Sequence, residues 1–217
     1  MQKLHRGVFL TLEGVEGVGK TTAVKFIQNY LQKAKQDFVV TREPGGTPCA
    51  EQMRQLILAP NLTEVISPTT ELLLMFASRA QHIENLIKPA LATDKFVVSD
   101  RFVDASYAYQ GGGRGFDQEQ IATLDKWVVG DLRPDVTILL DAPPSLGMAR
   151  AKKRSTHDRI EQEKLAFFER VRAVYLERAA ADKKRFRIID ATQPLAAVQT
   201  EIQTLLEKLL LERTGVN

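Results

Sequence analysis

Residues 14–22 read GVEGVGKTT, and Gly14, Gly19, Lys20 and Thr21 fit the spacing G-x-x-x-x-G-K-[ST]. In that spacing the backbone N–H groups of a loop ring a chain of phosphates, the lysine reaches their β and γ oxygens, and the hydroxyl binds Mg2+. Glycine is needed because the main chain itself must approach the anion. Glu16 is out of keeping, since it places a carboxylate in an anion cradle. The cradle holds phosphate through main-chain dipoles, so the Glu16 side chain is free to point away, toward a second reactant. Three further stretches carry cations: Arg42 opens R-E-P-G-G-T at 42–47, Arg101 follows Asp100, and A-K-K-R occupies 151–154. Taken singly, each has a plain structural reading as a proline–glycine turn, a solvated ion pair or an exposed helix end. Gathered around one phosphate loop, the arginines form a second anion site. A nicotinamide-binding reading fails on spacing, because GVEGVG is G-x-x-G-x-G and GGGRG at 111–115 is not G-x-G-x-x-G.

The elements that must position these residues follow from hydrophobic pattern. Val8 to Glu13 reads as a short buried strand entering the glycine loop, and Val24, Ile27 and Leu31 give Thr21 to Lys33 a helical pattern. Strand, loop, helix is the context that a phosphate loop needs. Phe38 to Thr41 is a second strand running into REPGGT, and Phe96 to Ser99 a third running into Asp100, Arg101 and Phe102. Ser67 as N-cap and Pro68 at the first helical position predict a long helix from about Thr69 to Leu91, much of it buried. Val136 to Asp141 and Phe186 to Asp190 complete the strands. A last helix carries a stripe of Leu195, Val198, Ile202, Leu205 and Leu209. Strands separated by helices predict an α/β fold, a parallel sheet with helices on both faces, in which ligands bind outside the carboxyl ends of the strands. The motif-bearing loops therefore converge on one cleft.

Composition narrows the function classes. The 217 residues and 44% hydrophobic content suit one α/β domain. Thirty basic and 27 acidic residues are interspersed, so a net charge of +3 does not imply a nucleic-acid surface and the acidic partner is small. Cys49 is the sole cysteine, which excludes an internal disulfide and suits a reducing compartment, with Cys49 a bystander thiol. His5, His82 and His157 lack a ligand spacing, so no zinc site is predicted. No apolar run approaches the roughly 18 residues needed to span a bilayer, and a cytoplasmic protein is expected.

GVEGVGKTT, TREPGGT, DRF followed by YAYQGGGRG, and AKKRSTHDRIE resemble the bacterial thymidylate kinase family, in the same order and over nearly the whole chain. The resemblance implies the nucleoside monophosphate kinase fold: a five-stranded parallel sheet in a single domain over residues 1–217, a mobile lid at about 150–161, and assembly as a homodimer. The implied reaction moves the γ-phosphoryl group of ATP, with Mg2+, to dTMP, giving dTDP and ADP. Its partners are these two small molecules, with neither nucleic acid nor membrane. Residues Gly14, Val15, Glu16, Gly17, Val18, Gly19, Lys20, Thr21 and Thr22 would hold ATP, and Thr21 and Asp100 would serve the metal. Arg42 and Arg101 would clamp the acceptor phosphate beside Pro44, and Glu16 would accept a hydrogen bond from the sugar 3′-hydroxyl, its charge tolerated because Arg42 and Arg101 are nearby. Arg79 would hydrogen-bond thymine, Ser106 and Gln110 would contact the polar edge of the base, and Tyr109 would crowd the 2′ carbon.

Two departures from the family pattern carry expectations. Some members place an arginine directly after the loop carboxylate, where this chain has Gly17, so the catalytic cation besides Lys20 and Arg101 is expected in the lid: Arg154, with Arg150 or Lys153 behind it. Four residues before Arg79, where the family commonly has a stacking phenylalanine, stands Met75, with Phe76 beside it. Residues four apart share a helical face, so Met75 is expected to touch the base and Phe76 to face the core. The alternatives are a related kinase acting on another nucleotide or a nucleoside, and a nucleotide sensor without turnover. The second has no need of an acceptor-phosphate clamp together with a basic lid.

Overall fold

A computed structural model describes residues 7–60, 63–151 and 158–214. Five strands, β1 (Val8–Glu13), β2 (Phe38–Arg42), β3 (Phe96–Asp100), β4 (Val136–Asp141) and β5 (Phe186–Asp190), form one parallel sheet in the order β2-β3-β1-β4-β5. All five are the predicted strands, with β2 and β3 each one residue longer. Those extra residues are Arg42 and Asp100, paired with each other in register, so both sit on the sheet's carboxyl edge.

Helices cover both faces. The chain runs through α1 (Lys20–Lys33), α2 (Pro48–Leu58), α3 (Pro68–His82), α4 (Lys88–Ala92) and α5 (Val103–Ser106). It continues through α6 (Gln118–Val128), α7 (Pro144–Ala151), α8 (Leu165–Ala181) and α9 (Leu195–Thr214). Strand β1 is buried throughout, and its alternation divides two cores. Val8, Leu10 and Leu12 meet Ile27 and Leu31 of α1, Val171 of α8 and Ile202 of α9, while Phe9 faces the other way, toward Leu72 and Phe76 of α3.

The predicted long helix begins as expected: Ser67 Oγ accepts from Thr70 N at 3.1 Å, and Pro68 is the first helical residue. It is interrupted by a π-helical turn, Ile83–Ile87, where the Lys88 N–H reaches back to the carbonyl of Ile83. Pro89 has no N–H to give the preceding turn, and the wider turn accommodates that gap. The last helix departs from prediction in its register. Its buried stripe is Val198, Ile202, Leu206 and Leu209, whereas Leu205 is half-buried and Leu195 is 56% exposed at the helix start. Among the described residues, no helix is long and apolar enough to cross a membrane.

Candidate active site

The loop between β1 and α1 lies at the carboxyl edge of the central strand. A Cβ at Gly14 would stand 2.4 Å from the carbonyl oxygen of Leu140 on β4, and one at Gly17 2.0 Å from that of Gly147 on α7. Both glycines also have positive φ, 135° and 74°, so close approach and backbone conformation alike demand glycine. Val15 and Val18 turn their side chains into the core, so these positions offer the cleft main chain only. Lys20 is the first residue of α1, and its Nζ donates to the carbonyls of Gly14 and Val15 at 2.9 Å each. Burial, with the charge of Arg101 adding to it, pulls the Lys20 ammonium down to about 8. Thr21 lines the cleft, while Thr22 is exposed on the next position of the helix.

Glu16 points away from the loop, and its partners show why a carboxylate is tolerated there. Arg101 Nη2 donates to Glu16 Oε1 at 2.9 Å, and the Tyr109 hydroxyl lies 2.8 Å from both carboxylate oxygens. The Arg101 guanidinium also lies over the Tyr109 ring, 4.5 Å from its centroid. Arg42, expected near Glu16, lines the same cleft. Its side chain is half exposed and donates to Glu51 on α2 at 2.8 Å. Glu51 holds both Arg42 and the Gly46 N–H, so the REPGGT turn is fastened to the helix that follows it.

The opposite wall comes from α3 and from the π-helical turn Tyr107–Gly113 that follows α5. Arg79 is 2% exposed; its Nε donates to Glu43 at 2.7 Å, Nη1 to Ser106 Oγ at 3.0 Å and Nη2 to the Phe102 carbonyl at 3.2 Å. Two of its five N–H groups are left over, and the residue lines the cleft. Phe76 lies beneath the guanidinium, 4.7 Å from ring centroid to Cζ, and is buried in the second core, whereas Met75 is half-buried and lines the cleft. Pro44, Ser106, Tyr109 and Gln110 line it too.

Several residues that sequence reasoning passed over hold this wall in place. Glu43 pairs with Arg79 and with His82 Nδ1, whose Nε2 meets Thr41 Oγ1 at 2.7 Å. Glu13 accepts from Phe102 N and from the Tyr175 hydroxyl, and burial, reinforced by the charge of Asp104, raises it to about 8. Arg54 lines the cleft and donates to the Pro44 carbonyl at 2.8 Å; the Thr47–Pro48 cap signature was the sequence sign of its helix. Glu71, 1% exposed, gathers Gln110, Arg114 and Arg159.

The cleft measures about 470 Å³ and joins both halves, from Gly19 and Lys20 to Met75 and Arg79. Asp100 Oδ1 is buried there with no hydrogen-bond partner among the described residues, on the same cleft as Thr21 and Lys20. Among the described residues no group of three or more His, Cys, Asp and Glu is arranged to hold a metal. One carboxylate and one hydroxyl suit Mg2+, which keeps several waters and takes phosphate oxygens for its other positions. Arg150, at the end of α7, also lines the cleft and donates to the Ala191 carbonyl at 3.2 Å. Arg154 and Lys153 lie outside the described residues.

Residues 12–202 match the thymidylate kinase family. A thymidylate kinase of Pseudomonas savastanoi pv. phaseolicola is 53% identical over 209 residues, 96% of this chain and 99% of its own. The chain belongs to the thymidylate kinase family. It is accordingly an ATP-dependent nucleoside monophosphate kinase. The thymidylate kinase of Alcanivorax borkumensis is 51% identical over 94% of this chain. The crystal structure of the thymidylate kinase of Ehrlichia chaffeensis superposes with a TM-score of 0.75 at 31% identity, covering 93% of this chain and 98% of its own. The five-stranded parallel sheet is thus the family's fold.

Proposed function

We propose that the two ends of the cleft bind two nucleotides: ATP over the glycine loop, and dTMP between Arg42, Arg101 and the wall built by α3 and the Tyr107–Gly113 turn. The reaction is transfer of the γ-phosphoryl group of ATP to dTMP, giving dTDP and ADP. The observation that carries this division is Glu16, held by Arg101 and Tyr109 at the junction of the two ends. There it accepts the sugar hydroxyl of the acceptor while the loop amides behind it hold the donor.

Phosphoryl transfer asks little covalent work of a protein; it requires two anions held in line and their spreading charge neutralised. Lys20 leaves the carbonyls of Gly14 and Val15 for the β and γ oxygens of ATP, which outbid neutral carbonyls for an ammonium. Arg101 and Arg42 hold the acceptor phosphate, and Arg54 adds a third cation at that end. Thr21 and Asp100 are the residues placed to hold Mg2+, which when bound would offset charge on the donor phosphates. Arg150, on the cleft at the end of α7, is the further cation placed to meet the transferring group. Met75 and Arg79 meet the thymine, and Tyr109 leaves no room for a 2′-hydroxyl.

The protein acts as a homodimer in the cytoplasm. Supporting the dimer, Leu73 and Trp127 are 53% and 82% exposed on α3 and α6, which pack on each other. Supporting the compartment, the one cysteine needs no oxidising surroundings. ADP release measured with dTMP, dUMP, UMP, CMP, AMP and thymidine tests the reaction. Fastest turnover with dTMP is expected, and none with thymidine, which has no phosphate for the arginines. Turnover of thymidine but not dTMP would overturn the reading.

A further inference from the structure

Gln110 is 1% exposed, and its side-chain nitrogen donates to Glu71 Oε1 at 2.9 Å. A carboxamide has two unlike ends, a donor NH2 and an acceptor oxygen, and rotation about its last torsion exchanges them. Glu71 removes that freedom. Burial favours its neutral form, but hydrogen bonds from Arg114, Gln110 and Arg159 outweigh this and hold it ionised. An ionised carboxylate only accepts, so the NH2 end of Gln110 must face Glu71. Gln110 lines the cleft, which therefore receives the carbonyl oxygen.

Arg79 lines the same cleft and offers only donors. Thymine presents the complement, an N3–H donor next to the O4 acceptor. Cytosine presents the reverse, a ring-nitrogen acceptor next to an amino donor, so each contact would set like against like. We propose, on the reading that dTMP occupies this cleft, that Glu71 is the positioning residue for base selection: it fixes the Gln110 carboxamide with oxygen toward the base and so excludes cytosine.

Isothermal titration of the intact protein with dTMP and dCMP tests this. The wild type is expected to bind dCMP at least roughly tenfold more weakly, as buried polar groups are left unpaired. Glu71→Gln can offer Gln110 either a donor or an acceptor, so the amide turns and the dTMP preference shrinks at least about threefold. Arg114→Met loosens the same cluster but leaves Gln110 its partner; its melting temperature falls while the preference stays. Equal binding by the wild type overturns the proposal, as does an unchanged preference in Glu71→Gln or an equal loss in Arg114→Met. If Glu71→Gln does not fold, the Gln110 side-chain NH2 resonances of the wild type decide: dTMP should leave them nearly unmoved, and a base-contact shift there overturns the assignment. Absence of dTMP turnover would defeat the parent reading, whereas dTMP turnover with a flat preference defeats only the role of Glu71.

Discussion

Met75 and Phe76 are neighbours in sequence and strangers in environment, one on the cleft and the other in the core beneath Arg79. Truncating each should separate binding from stability. Phe76→Ala is expected to cost about 3–5 kcal/mol of stability as a core truncation. Met75→Ala is expected to raise KM for dTMP several-fold with little change in melting temperature, and Met75→Phe to leave KM within a few-fold, since sulfur and ring face a base with comparable energies. Steady-state kinetics and thermal melts on the three variants check this. Lys20→Ala should lower kcat by orders of magnitude while the fold survives, because in the proposed reaction its ammonium would neutralise charge that grows on the transferring group. Glu13 gives a pH signature. Burial, then the charge of Asp104, raises it from 4.5 to about 8, so between those values the folded protein keeps a proton that the unfolded chain has lost. Stability from this group is therefore full at low pH, falls as pH rises through that window, and stops falling above about 8. Melting temperature against pH should show a decline in the wild type that Glu13→Gln flattens. The phosphate loop was legible at this scale because glycine spacing is itself the chemistry. Glu13, Glu43 and Glu71 were not, because an acidic residue reads as solvated until a fold surrounds it with donors.

Element by element, the strands were legible because strands covered on both faces must be apolar almost throughout, and little else in the chain has that pattern. Helix faces were less so: the buried stripe of α9 passes through Leu206 rather than Leu205, because which of two adjacent leucines meets the core is settled by packing, not by their own type. Gly17 and Gly147 show the same limit for the site. The sequence marked Gly17 as the place where some relatives carry arginine, but not that the loop there meets the backbone of α7, where a Cβ at Gly147 would lie 2.2 Å from the Glu16 carbonyl. An arginine at 17 does not fit this junction. Gly17→Ala is expected to cost at least about 1–3 kcal/mol through overpacking, and to lower kcat as well, since the displaced loop carries Lys20. A paired melt and kinetic assay checks both effects. A loss of stability with unaltered kcat would separate the α7 contact from the chemistry.

At the scale of the whole molecule, the exposed Leu73 belongs to a helix that also walls the cleft, since α3 carries Met75 and Arg79, and the exposed Trp127 belongs to α6, which packs on α3. Under the proposed homodimer, wild type should scatter as a dimer at micromolar concentration and Trp127→Glu should shift toward monomer, because a charge placed in an apolar interface must be desolvated to bind. An unchanged mass would remove this face from the assembly. The strand order has a consequence for how the protein is made. The central strand β1 emerges first from the ribosome, yet Val8 pairs with Phe96 and Leu10 with Val136. Its two neighbours are thus 88 and 126 residues further along the chain, by the pairs Val8–Phe96 and Leu10–Val136, and contacts so distant in sequence slow the search for the native state. Until β4 has been translated, the six buried residues of β1 have at most one edge satisfied. A nascent chain stalled between β3 and β4 therefore exposes a sticky, half-zippered sheet, the kind of species that trigger factors and holdases must shield.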